Sequence, residues 1–400
     1  MRRAAIQFFL AVSVLPLLDA ATVPSGTKVE IRLTSGVNSA AAKPKDTFQA
    51  VVIAPVLAGD SIAIGQGTKV LGHVQDIKQA EAADQQTVLT LAFDSLQDDA
   101  GHSAAISAKL VAIDNARETI DADGRILGIQ ASQTGSARLD QGINKIAEKY
   151  PGFAGILSAA KSAIVSEADP SINYQPGVEM SIELTKPLDW NGRAQIAKIT
   201  AISPADELAD LVNRQPFRTQ AGEPPKPSDM TNLMFLGSED DIVRAFQEAG
   251  WSQAQQLSGQ SKFETFKAMT EMRGYKEAPV STLLLDGRAP DLVFEKANNT
   301  FASRHHMRVW RRPGTFNGKP VWVAAGTHDT GIDFSQENRT FIHKIDSEID
   351  HERAKIVNDL LFTGLVRGLA LVARPEVPTD ASNATGDQLR TDGKMAVLGF

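Results

Sequence analysis

Short β-rich runs, separated by Gly, Pro and Asp, fill the sequence between residues 29 and 127. Such runs are typical of strands, and the residues between them are typical of turns. The runs are Val29–Leu33, Thr47–Val56, Lys69–Ile77, Thr87–Phe93 and Ala104–Ile113. They predict an all-β barrel or sandwich, which we place at residues 22–213.

An Ala-, Gly- and Ser-rich segment, residues 138–168, interrupts this β pattern. The break at Tyr150–Gly152 predicts two short helices, and Val178–Leu184 returns to a strand. We expect the helical insertion to pack over the β domain. Insertion into a membrane is the alternative, although Lys161 interrupts its second helix.

Four prolines within residues 214–229 predict an extended linker, because such a density of proline resists regular structure. A second domain, residues 230–400, then mixes strand and helix patterns. Its expected helices begin after Ser238 and near residue 349, between strands such as Leu233–Leu236 and Gly368–Ala373. The prediction is a multidomain protein with a C-terminal α+β domain and a mostly antiparallel sheet.

The N-terminus has the order of a secretory signal. Arg2 and Arg3 precede the apolar run Phe8–Leu18, and the small residues Ala20 and Ala21 follow. A signal peptide at residues 1–21 predicts an exported, periplasmic or secreted protein. The apolar run is shorter than the roughly 20 residues that span a bilayer, so we expect no permanent membrane anchor.

Two features of the composition bear on which functions are possible. The chain has no cysteine, which excludes thiol catalysis and cysteine-ligated zinc. Its net charge of -7 argues against nucleic-acid binding, which depends on a cationic surface. The partners that we expect are envelope proteins, lipids or glycans.

Five of the seven histidines lie within residues 304–352, together with several Arg, Asp and Glu residues. Alternation along a strand would place Arg304, His306 and Arg308 on one face and His305 on the other. We therefore prefer His306 for a site and expect His305 to be a hydrogen-bonded core residue. His328 and Asp329 follow the strand Val321–Ala325.

These residues support two hypotheses. In the first, the protein is a metal-assisted hydrolase that acts on an anionic phosphoester and uses a divalent metal. The candidate catalytic residues are then His306, His343, Asp346 and Asp350. Arg304, Arg308 and Asp329 would bind substrate, and the metal ligands would be His306, His328, His343 and Asp346.

In the second hypothesis, which we favour slightly, the cluster is a binding pocket or a hydrogen-bonded scaffold, and the protein is an envelope binding or assembly factor. Arginines can hold phosphate without cleaving it. Asp346, Asp350 and Glu352 also have an alternative role, since acidic residues commonly stabilise the N-terminus of a helix.

The second domain resembles the LssY C-terminal domain family. The resemblance covers residues from about 225 to 400 and rests on the motifs Asn232–Gly237, Ala278–Val280, Asp291–Phe294, Arg304–Trp310, Val321–Val323, His343–Asp346 and Thr391–Gly393. It implies an envelope context and no single activity.

The first domain is faintly similar to the β-barrel part of TrbI-type conjugation proteins. The similarity rests on Val23–Thr27, Val70–Gly72 and Gln175–Val178, together with the helical interruption. This resemblance implies structural or assembly work rather than catalysis.

Overall fold

The computed structural model describes most of the chain, and at residues 21, 61, 331–335 and 340–343 it describes the backbone alone. Apart from isolated positions between 137 and 145, the described ranges are 21–58, 61–134, 169–192, 199–222, 224–253, 283–300, 303–335 and 340–400. The expected signal peptide and most of the expected helical insertion therefore lie outside the described residues.

In its described part, the N-terminal domain consists mainly of strands, with a 3-10 turn at Ala131–Gln133. The strands are β1 Ala21–Val23, β2 Lys28–Leu33, β3 Val37–Asn38, β4 Thr47–Val52, β5 Val56–Ala58, β6 Ser61–Ile64, β7 Lys69–Lys78, β8 Val88–Gln97, β9 Ser103–Ala105, β10 Ala108–Ile113, β11 Thr119–Ile120, β12 Ile126–Leu127, β13 Asn173–Tyr174, β14 Glu179–Leu184 and β15 Leu188–Trp190.

Most of these strands form one antiparallel sheet in the order β10, β14, β2, β4, β7, β8, β12, β11. Strand β10 also lies against β8, so the sheet nearly closes on itself. This confirms the predicted barrel. Inside it, Phe48 and Phe93 meet edge to face, and Gly72 beside them leaves no room for a Cβ atom, which would lie 2.4 Å from the Phe48 ring.

The C-terminal domain alternates strands and helices. Its elements are β16 Thr200–Ala201, α1 Ala205–Asn213, β17 Arg218–Ala221, β18 Lys226–Met230, β19 Leu233–Leu236, α2 Glu239–Glu248, β20 Ser252–Gln253, β21 Leu292–Lys296, β22 Arg304–Phe316, β23 Lys319–Ser335, β24 Thr340–Ile345, α3 Ile349–Phe362, β25 Gly368–Ala373, β26 Asp380–Ser382, β27 Gln388–Arg390 and β28 Lys394–Gly399.

Its main sheet has the order β16, β25, β28, β19, β23, β22, β21, β20, with β24 beside β23. Only the pairs β16 with β25 and β19 with β28 are parallel among the described strands, which confirms the mostly antiparallel sheet. Helices α2 and α3 cover one face through residues such as Phe246 and Ile356. Helix α1 covers the other face through Leu208 and Val212. The sheet is therefore buried on both sides.

The expected linker at 214–229 is not an extended connection. Strands β17 and β18 form a hairpin there, and Thr219 and Asp229 are buried. Helix α1, which we assigned to the first domain, packs on the C-terminal sheet. The prolines did not prevent this because a two-stranded ribbon requires a backbone N–H at only some of its positions.

Candidate functional site

The two faces of β22 carry two separate groups of polar side chains. Arg304, His306 and Arg308 share one face with Trp310, while His305 shares the other with Met307 and Val309. This alternation agrees with the prediction. The adjacent residues His305 and His306 therefore contact different sets of side chains.

The face of β22 that carries His306 has a cluster of buried charged side chains. His306 Nε2 lies 2.7 Å from Asp329 Oδ2, and Arg304 Nη1 donates to Glu295 Oε2 at 3.0 Å. Arg308 Nη1 lies 3.4 Å from Asp229 Oδ2. All of these side chains are buried.

Burial, and then the positive charges of Arg304 and Arg308, hold the pKa of His306 well below its usual range. His306 is therefore neutral at physiological pH. A neutral imidazole that donates from Nε2 to Asp329 presents Nδ1 as an acceptor, and that atom is buried with no hydrogen-bond partner among the described residues.

The other face brings His305 and His328 together, since they are directly opposite in the pairing of β22 with β23. Their rings stack with centroids 4.2 Å apart and an interplanar angle of 19°. His305 Nδ1 lies 2.7 Å from Glu352 Oε2, and its Nε2 lies 2.9 Å from Asp114 Oδ2 of the N-terminal domain. His328 Nε2 lies 3.0 Å from Asn115 Oδ1.

The two stacked histidines differ in charge. Burial disfavours the charged form of His305, but the carboxylates of Asp114 and Glu352 outweigh it and raise its pKa to about 9. Burial, and then the positive charge of His305, lowers the pKa of His328. The pair is thus one imidazolium beside one neutral imidazole, which avoids repulsion between two like charges.

The structure places two of the expected metal ligands, His306 and His328, on opposite faces of the sheet. His328 lies on the opposite face of the sheet from His306, because strand register pairs it with His305. His343 lies in β24 opposite Ile332, and only its backbone is described. The ligand atoms of Asp114, His305 and His328 instead lie within 4.8 Å of one another.

Asp346 and Asp350 make local contacts. The Asp346 carboxylate accepts from the backbone N–H of Glu348 at 3.0 Å, just before α3. Asp350 accepts from the Thr391 hydroxyl at 2.8 Å and pairs with Arg353 at 2.9 Å. These contacts match the alternative that acidic residues stabilise the start of this helix, and they tie it to the loop before β28.

A second charge cluster joins the two domains. Glu179 of β14 contacts Arg32 of β2, Lys296 of β21 and Lys355 of α3. Asp359 of α3 contacts the same three cations and accepts a hydrogen bond from Trp251 Nε1 at 2.9 Å. Both carboxylates are buried, so this interface is a desolvated ion network.

The network lies beside a cleft of about 620 Å³ between the domains. Its ionisable lining residues are four carboxylates, two histidines and one lysine: Glu30, Asp114, Glu179, Asp359, His328, His351 and Lys355. Hydroxyls come from Ser181, Ser303 and Thr330, amides come from Asn115 and Asn358, and Ala112 and Ile113 add apolar surface. A cavity of this size accommodates a small ligand.

This interface predicts loss of stability in acid. Burial raises the pKa of Glu179, but Lys296, Lys355 and Arg32 outweigh it and hold the pKa below its ordinary value of 4.5. Because the folded pKa is depressed, the stabilisation is complete above the unfolded pKa and is lost as the pH falls below it. From pH 6 to pH 3 we expect wild type to lose about 2 kcal/mol more free energy of unfolding than Glu179→Gln.

Urea denaturation of both proteins at each pH measures this difference. Parallel losses in the two proteins would contradict it. Lys109 and Glu183, an ion pair with more exposed side chains, supply the control, since Glu183→Gln should leave the pH dependence of wild type unchanged.

Sequence reasoning missed the acidic and basic residues that line the cleft. Asp114 and Asn115 follow β10 at a turn, and nothing in their spacing connects them with histidines 191 positions away. Lys355 and Asp359 lie four residues apart on α3, a spacing that indicates one helix face but not what that face contacts.

The fold and the cleft define a two-domain protein in which a nearly closed β-barrel docks on a helix-covered mixed sheet. Residues 213–395 match the family model described as LssY C-terminus. This confirms the resemblance of the C-terminal domain that the motifs indicated.

Two further comparisons add little. No curated protein matches this chain. One solved structure, described as ComB10 of the Com Type IV secretion system of Helicobacter pylori, covers 42% of this chain and 88% of its own length at 12% identity. Its TM-score of 0.24 is too low to carry an argument.

Among the helices in the described residues, none has both the length and the apolar character that crossing a bilayer requires.

Proposed function

We propose that this protein is an exported cell-envelope factor that binds a polar glycan in the cleft between its two domains. The observation that carries the proposal is the composition of the cleft, with carboxylates, amides and hydroxyls placed beside apolar side chains. Carboxylates accept hydrogen bonds from sugar hydroxyls, and amides both donate and accept. Apolar groups such as the half-buried Ile113 suit the faces of sugar rings.

The charge of the cleft favours a neutral or cationic ligand over an anionic one. Four carboxylates line it against one lysine, Lys355, which already contacts Glu179 and Asp359. Arg32 and Lys296 are also paired with these carboxylates. Because these cations already pair with carboxylates, an anionic ester would compete with Glu179 and Asp359 for them.

Export is supported by the N-terminal sequence, with its arginine pair, its apolar run and its small residues. Strand β1 begins at Ala21 and pairs with β15. Cleavage near residue 21 or 22 would therefore leave the pairing of this strand largely intact.

Calorimetric titration with oligosaccharides tests the proposal. The probes are an N-acetylated chito-oligosaccharide, its de-N-acetylated counterpart and a sugar phosphate. The blocking variant is Ala354→Trp, because Ala354 is an exposed residue of α3 that lines the cleft. We expect wild type to bind one or both oligosaccharides and the variant to bind at least about tenfold more weakly, a loss of about 1.4 kcal/mol.

The matched control is Gln247→Trp, at an exposed position of α2 that does not line the cleft. It should bind like wild type. Absence of oligosaccharide binding by wild type, or equal binding by both tryptophan variants, would contradict the proposal. The intact mass of the protein expressed with its own N-terminus tests export, which predicts a chain starting near residue 21 or 22.

A metal-assisted hydrolase is the second candidate, and one observation favours it. Asp114, His305 and His328 place three groups that can bind a metal next to the cleft. Turnover of the sugar phosphate by wild type and not by Ala354→Trp would support this activity and contradict simple binding.

A further inference from the structure

We propose that Asp114, His305 and His328 form a zinc site that joins the two domains. Asp114 follows β10 of the barrel, whereas the histidines lie on β22 and β23 of the C-terminal sheet. The site therefore exists only when the domains are docked. The proposal does not rest on glycan binding.

The geometry suits coordination. The Nε2 atom of His305 lies 2.9 and 3.0 Å from the two carboxylate oxygens of Asp114. Three potential ligand atoms lie within 4.8 Å of one another. The two imidazoles stack at an interplanar angle of 19°, so one ring would have to turn for both in-plane lone pairs to reach the same ion. Zinc bonds of about 2.0–2.2 Å would require these atoms to move inward by roughly 1 Å. Zinc would displace the Nε2 proton of His305 to solvent and replace the hydrogen bond between His305 and Asp114.

Glu352 orients the His305 ring in the way that is common for metal-binding histidines. Its Oε2 atom lies 2.7 Å from His305 Nδ1, so the ring can donate from Nδ1 and direct Nε2 toward Asp114. A histidine that ligates a metal commonly donates its other N–H to a carboxylate in this way. Glu352 is buried on α3, which fixes that contact.

Asn115 and Lys355 complete the surroundings. Asn115 Oδ1 lies 3.0 Å from His328 Nε2, and its backbone adopts a left-handed conformation with a φ of 51°. Its amide also donates to the Lys296 carbonyl at 3.1 Å, which holds Asn115 at the domain interface. Lys355 Nζ lies 3.7 Å from Asp114 but also contacts Glu179 and Asp359, which offset its charge.

The chemical types of the three ligands favour zinc over calcium or magnesium. Two imidazoles and one carboxylate match the ligands of zinc, whereas calcium and magnesium prefer oxygen ligands throughout. Three protein ligands leave a fourth position for water or for the Asn115 oxygen. Bound zinc would connect the domains without disulfides, in a chain that has no cysteine.

Zinc titration of the full mature protein, after dialysis against chelator, tests this site. We expect one zinc ion per chain by elemental analysis, a higher melting temperature with zinc than without it, and visible absorption of a four-coordinate site when cobalt replaces zinc. Asp114→Ala and His328→Ala should each weaken zinc binding by about tenfold or more. Asp114→Asn, which retains the shape of the side chain, serves if either alanine variant fails to fold.

His351→Ala is the matched control, because His351 lines the same cleft with an exposed side chain outside the three ligands. It should bind zinc like wild type, as should Ala354→Trp, which separates this site from glycan binding. Failure of wild type to bind zinc stoichiometrically would overturn the proposal. Equal binding by wild type and Asp114→Asn would also overturn it.

Discussion

Replacement of Asp359 with alanine is expected to lower the free energy of unfolding by about 3–5 kcal/mol. The substitution removes a buried acceptor from Arg32, Lys296 and Trp251. Lys296 is itself buried, so its ammonium would lose one of its two carboxylate partners and gain little water in exchange. Urea denaturation followed by circular dichroism measures the loss.

Asn358→Ala is the matched control for this experiment, since Asn358 is the preceding residue of α3 and is only half-buried. It should change stability by less than about 1 kcal/mol. Asp359→Asn adds a second comparison, because it keeps an acceptor for Trp251 and removes the charge. If Asp359→Ala and Asn358→Ala unfolded at the same urea concentration, the network would not stabilise the interface.

Replacement of Arg304 with methionine is expected to cost about 3–5 kcal/mol as well, since it leaves Glu295 as a buried charge. Arg304 is 2% exposed, and Nη1 donates to Glu295 at 3.0 Å. Arg304 therefore stabilises this face of the sheet through its ion pair with Glu295. The affinity for oligosaccharide, measured where the variant is folded, is expected to equal that of wild type.

Arg311→Met supplies the comparison for Arg304, because Arg311 lies on the same strand with an exposed side chain above the Trp322 ring. Its replacement should cost no more than about 1 kcal/mol. The interpretation of Arg304 as a substrate-binding residue makes the opposite prediction. A fully stable Arg304→Met protein that had lost ligand binding would support that role.

Much of the secondary structure could be predicted because it depends on local patterns. The strand Leu233–Leu236 lies where a short apolar run indicated it, and the helix after Ser238 begins where the capping residue indicated it. The hairpin at residues 214–229 could not be predicted, since it is stabilised by the sheet on which it packs. The proline content indicates only the local backbone preference, and it does not show that the segment packs on the C-terminal sheet.

The candidate site was also predictable only in part. Alternation along β22 correctly separated His305 from His306, because side chains on a strand point to opposite faces in turn. It could not determine which histidine meets His328, since this depends on the register between β22 and β23. A shift of one residue in that register would have brought His306 and His328 to the same face.

The sequence by itself therefore determined the two structural classes, the positions of most strands and the resemblance of the C-terminal part to LssY C-terminal domains. Only the tertiary structure decided which side chains meet. The docking of the barrel on α3 and β21 brings Asp114 to His305, and Glu179 to Lys296 and Lys355. Such contacts join residues far apart in the chain, and they depend on how two complete surfaces fit rather than on any local pattern.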